Sequence, residues 1–146
     1  MATILINEPS SNAASGYEDP GSMLVTCHQR VTRMCALLER LHQHLTHAGV
    51  DQQARSAATD VMRYFDIAAP LHYEDEELHV LPRLQASGNT ADRELAKVIL
   101  DQHQAMTNLW KKLRPQLQAI AQLGQADAFL SDPIWQEFTK MHYDHI

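Results

Sequence analysis

His28, His72, His103 and His145 are spaced so that the step from the first to the second is 44 residues and that from the third to the fourth 42, and His72 opens the pair His72-x-x-x-Glu76. Residues four apart on an α-helix differ by about 400° of rotation, so the His72 imidazole and the Glu76 carboxylate leave one face together. Imidazole with carboxylate suits iron, zinc, manganese or cobalt. The lack of cysteine in the set removes the thiolate signature of structural zinc and of iron–sulfur clusters. A carboxylate has two oxygens, so Glu76 can bridge two cations about 3.5 Å apart. The candidate metal ligands are His28, His72, Glu76, His103 and His145.

Four helices are needed to carry them. A stripe of Leu24, His28, Val31, Cys35, Leu38, His42 and Leu45 steps by four and three, which predicts a first helix from about Ser22 to about His47, stopped at Gly49. Asp51 can cap a second, running to about Gln85 through Val61, Phe65, Ala68, His72, Glu76 and His79, which Pro70 should kink or divide. Thr90 begins a third, with the stripe Ile99, His103, Met106, Trp110, Leu113, Leu117 and Ile120, and Gly124 ends it. The fourth starts either near Ala126 or at Ser131-Asp132-Pro133 and carries Ile134, Phe138, Met141, His142 and His145. Short connections make these antiparallel neighbours: an all-α, up-down-up-down four-helix bundle over residues 21–146. Residues 1–20 mix Ser, Asn, Ala and Pro without periodicity and are expected to form a poorly ordered leader.

Depth separates ligands from bystanders. His28 lies about 19 residues before the end of the first helix and His72 about 20 after the start of the second, so antiparallel packing sets them at one level. His103 falls at the same level, and so does His145 if the fourth helix starts early. His42 lies about 21 Å along the helix from His28 and cannot share its site. His44 and His47 fall near a helix end and are expected in solvent. His79 stays an outside candidate, since it lies three residues past Glu76. Taking His142 as the ligand would shorten the second step to 39 residues and break the level match, which favours His145. Glu77 is turned about 100° from Glu76 and is expected to face solvent.

Composition narrows the surroundings. An aromatic share of 6% and few β-branched runs argue against a sheet, and a net charge of −6 with twelve scattered Lys and Arg lacks the basic stripe of nucleic-acid binding. No apolar run approaches the roughly 20 residues of a membrane span, and Met1 to Pro20 carries no Lys or Arg, unlike a secretory signal; the cytoplasm is the default compartment. Cys27 and Cys35 are about 12 Å apart along one helix and cannot pair there, so both are expected as thiols. No nucleophile–base set or phosphate-binding glycine loop points to a classical enzyme.

The ordered set of His28, then His72-Tyr-Glu-Asp-Glu76-Glu77-Leu-His-Val-Leu-Pro82-Arg-Leu, then His103 and His145 resembles the bacterial hemerythrin-like (HHE cation-binding) domains, over about residues 22–146. The resemblance implies a non-haem iron centre, usually two irons bridged by carboxylates, that binds or senses dioxygen or another small diatomic ligand such as nitric oxide, responds to peroxide, or handles iron. One departure affects the count of metals. The family's last motif is HxxxE, and Ile146 follows His145 before a glutamate appears, so one iron, or none, is open beside two. Two other classes compete: a metal-free or zinc-binding interaction module, and a ferritin-like di-iron oxidase using Glu39-x-x-His42 and Glu76-x-x-His79. The second needs Glu39 and Glu76 to face each other, and their depths differ too much. Whether copies of the chain form a homo-oligomer is left open.

Overall fold

The computed structural model describes residues 20–146 except position 129, with side chains from Val25 onward; the leader expected over 1–20 lies outside them but for Pro20. Helix α1 spans Pro20–Ala48, α2 Gln52–Arg63, α3 Ala69–His79, α4 Leu81–Ala86, α5 Thr90–Gln118 and α6 Ile134–His145. Single π-helical turns occupy Tyr64–Ala68 and Ala119–Leu123. Among the described residues every regular element is helical, as stripes of helical period require.

The caps explain the boundaries. The Asp51 carboxylate accepts the Ala54 N–H and starts α2, and the Asn89 side chain accepts the Ala91 N–H and starts α5. Gly49 stops α1 in the left-handed region. Gly124 does the same after the second π turn, where a β-carbon would also lie 2.5 Å from the Arg55 guanidinium. Pro70 divides the second rod. It has no N–H for the Asp66 carbonyl, and the wide turn before it absorbs the mismatch by pairing the Ala69 N–H with the Tyr64 carbonyl.

Cross-rod hydrogen bonds show the directions. Between α1 and the second rod, His44 meets Asp51 at one end and His28 meets Glu76 at the other. Between the second rod and α5, Arg114 grips Asp66 and His103 meets Glu76. Between α5 and α6, Trp135 donates to Gln116 and His145 to Gln102. In each pair one residue number rises as the other falls, so consecutive rods run antiparallel.

Of the two starts open to α6, the later one is found. Ala126 is buried in non-helical chain, the Leu130 carbonyl accepts from His42, and the Asp132 carboxylate accepts the Ile134 N–H just after Pro133. The early start is incorrect: the described residues between Gly124 and Ile134 form turns, with the Leu130 carbonyl and the Asp132 carboxylate held by side chains of other helices, His42 and Gln116. Trp135 therefore already stands beside Gln116, and α6 still brings His145 level with α5.

The bundle is apolar over most of its length. Leu38, Leu41, Val61, Leu113, Leu117, Ile120 and Phe138 are fully buried. Phe65, Trp110 and Phe138 close this core as an aromatic layer, with centroids 4.8 to 5.6 Å apart. Beyond it the interior turns polar. Replacing Phe138 with Ala is expected to cost about 3–5 kcal/mol in urea unfolding of the metal-free protein; a loss below about 1 kcal/mol would contradict this packing.

Candidate metal centre

One carboxylate organises the polar end. Glu76 reaches the interior from α3 and is buried. Its Oε1 lies 3.3 Å from His28 Nε2 of α1 and 2.9 Å from His72 Nε2 one helical turn back. Its Oε2 lies 2.7 Å from His103 Nε2 of α5 and 3.2 Å from His145 Nε2 of α6. The four imidazoles are thus shared two and two between the oxygens. Within each half the ligand-type atoms lie within 4.8 Å of one another, so each could hold a metal ion.

The protonation pattern favours a cation over a self-contained hydrogen-bond network. Burial pushes Glu76 up, but the contacts from His103, His145, His28 and His72 outweigh it and hold the carboxyl far below the usual range, so it is ionised. His103 faces a carboxylate on both sides, with Nε2 on Glu76 and Nδ1 3.3 Å from Glu77 Oε1. A neutral imidazole has one N–H to give. If Nδ1–H goes to Glu77, the Nε2 lone pair confronts Glu76, a clash that a shared cation removes. Without metal, protonation removes it instead: burial lowers the His103 pKa, yet Glu76 and Glu77 together raise it.

His72 makes the same point. Its Nε2 is close to Glu76 Oε1 but outside hydrogen-bond geometry, and its Nδ1 is buried without a partner. The short distance therefore does not represent a formed hydrogen bond. Two orphaned nitrogens on a 5% exposed ring are costly, and a cation on Nε2 would satisfy one of them.

The other histidines have separate tasks. His142 is buried outside the cluster, with its Nδ1–H on the Phe138 carbonyl and its Nε2 accepting from the Tyr73 hydroxyl at 2.8 Å. His79 is exposed, as is His47. His42 packs on Trp135 and donates to Leu130, far from Glu76, and Glu39 beside it is exposed, so the ferritin-like pairing does not form. His44, expected in solvent, is instead 2% exposed and donates to Asp51, because the α1–α2 turn folds back over it. Glu77 is exposed, as expected, yet leans back far enough to hold His103, a reach that helical rotation alone does not reveal. Tyr73 was not among the candidates, although its ring stacks on His103 at 4.7 Å; its place between His72 and Glu76 was the available signal. Both cysteines are free thiols, and burial pushes them up, Cys35 to about 12, which suits packing better than redox chemistry.

The family model for the hemerythrin HHE cation binding domain matches residues 19–146. The chain belongs to this family. A Haemophilus influenzae relative, described only as an uncharacterized protein, is 34% identical over 118 residues. That match covers 79% of this chain and 65% of the relative, so the chain spans less than two thirds of the relative's length. No solved structure matches the chain. Among the described residues no helix is long and apolar enough to cross a membrane.

His142 gives this family member a measurable pH signature. Burial is the main cause lowering its pKa from the usual 6.5 to about 4. Between these values the unfolded chain takes up a proton that the folded chain refuses, so stability is full above pH 6.5 and falls as pH drops toward 4. The loss attributable to this group is about 3 kcal/mol. His142→Gln should remove that share, so the stability gap between wild type and variant narrows from pH 7 to pH 4 in metal-free denaturant melts. A gap independent of pH would refute the assignment.

Proposed function

We propose that the protein is a non-haem iron protein that binds two cations across Glu76 and uses them to bind or sense dioxygen or another small oxidising ligand, such as nitric oxide or peroxide. The observation carrying this reading is the two-and-two division of the imidazoles over the carboxylate oxygens. Two histidines and one carboxylate oxygen per ion is a donor set suited to iron(II), and it leaves coordination positions open. Bound iron would supply those positions and reversible one-electron exchange with a small ligand.

The chain's own contribution is placement. Glu76 sets the separation of the two halves, and the helices bring two imidazoles to each. The aromatic layer of Phe65, Trp110 and Phe138 closes the floor of the site against water from the core side. The His28 side chain is 26% exposed, while those of His72, His103 and His145 are 4–6% exposed. Small ligands therefore have their approach along the α1 edge.

Anaerobic loading with iron(II) should give close to two irons per chain, and absorption spectra should change on adding air, azide or nitric oxide. His72→Ala should lose most of the metal, whereas exposed His79→Ala should keep it. Equal iron in the two variants overturns the ligand assignment.

Binding also requires unprotonated imidazoles, so metal should raise the melting temperature near neutral pH and release below about pH 6. A melting temperature indifferent to metal and chelator at pH 7 would count against the reading.

A further inference from the structure

The two halves of the centre are not equivalent in how their imidazoles are held. On the Oε2 side, both rings are gripped at the nitrogen that faces away from Glu76. His145 Nδ1–H donates to Gln102 Oε1 at 2.7 Å, and His103 Nδ1–H points at Glu77 Oε1 at 3.3 Å. Each grip selects the tautomer that leaves the Nε2 lone pair for a cation and fixes the ring plane. The rings also support each other, with centroids 5.1 Å apart, and Tyr73 stacks on His103. On the Oε1 side, His72 Nδ1 has no partner to choose its tautomer, and His28 is the ring most open to water.

We infer that Gln102 and Glu77 are positioning residues that make the His103/His145 half the first to take a metal ion, with the His28/His72 half filling second. This rests on the two-cation reading above and adds an order to it. The first ion meets rings whose planes and Nδ1 protons are already fixed, so it has only to replace the proton on His103 Nε2 and little ring freedom remains to be lost. The second must order His28, select the His72 tautomer and approach an ion already bound across the same carboxylate. Ordering cost and like-charge repulsion act in the same direction. Gln102 carries most of this positioning, since its contact is the shorter and joins α5 to α6.

Zinc(II) is a suitable probe because it is diamagnetic and takes imidazole and carboxylate ligands. In metal-free, ¹⁵N-histidine-labelled protein, the first equivalent should shift the ring nitrogens of His103 and His145, and the second those of His28 and His72. Calorimetry should show two steps. Gln102→Leu should weaken the first step about tenfold to a hundredfold. Gln102→Glu, which keeps an acceptor for His145 Nδ1–H, should restore it, a rescue that a merely structural role would not give. His28→Ala should abolish only the second step. If all four rings shift together, if His28 and His72 shift first, or if Gln102→Leu leaves the first step unchanged, the inference is overturned while the centre stands. If no ring shifts, the two-cation reading falls with it.

Discussion

An ionised carboxylate cannot lie inside a helical bundle without partners, and that requirement organises the polar end of this protein. Transfer of a bare carboxylate into a low-dielectric interior costs several kcal/mol even after relaxation. Glu76 meets that cost by drawing an imidazole from α1, another from its own rod, one from α5 and one from α6. Each of the four rods must therefore reach the same depth. The antiparallel arrangement does this with connections that need not be long.

The remainder of the bundle supports that layer from below. Leucine, valine and isoleucine fill the long apolar portion, and the aromatic layer forms the boundary with the polar end. His142 stands at that boundary and is neutral: its two nitrogens are used up by the Phe138 carbonyl and the Tyr73 hydroxyl. It looks like a ligand by residue type and behaves as a core residue. The π turn before Pro70 allows the second rod to continue inward past the proline, and Arg114 with Trp110 holds Asp66 of that turn against α5. His72 and Glu76 thus project from a short helix braced just below them.

The chemical capacity of the centre lies in what the hydrogen bonds leave undone. His103 between two carboxylates and His72 with neither nitrogen satisfied are poor end states for a metal-free protein and good ones for a metal-bound protein. Membership of the cation-binding family agrees with that chemistry, and the geometry adds the division into two half-sites sharing one carboxylate.

Spacing alone determined a great deal. The apolar stripes carried the helical class, the stops at Gly49 and Gly124, the starts at Asp51 and Thr90 and the division at Pro70, because caps and breakers act locally. His28, His72, Glu76 and His103 were legible because helices convert residue number into depth at a constant rise, whereas the level of His145 rested on an early start of the fourth helix that is not found. That rule fails where chain is not helical. The path from Gly124 to Pro133, and with it the late start of α6, depended on tertiary partners, His42 for Leu130 and Gln116 for Asp132. Depth also carries no information on which nitrogen of a ring faces inward or how far a long side chain leans. Only the folded structure decided that Glu77 and Gln102 steady one pair of rings, that Tyr73 turns His142 away from the centre and that His44 is buried beneath its turn, since each depends on side chains meeting from separate elements.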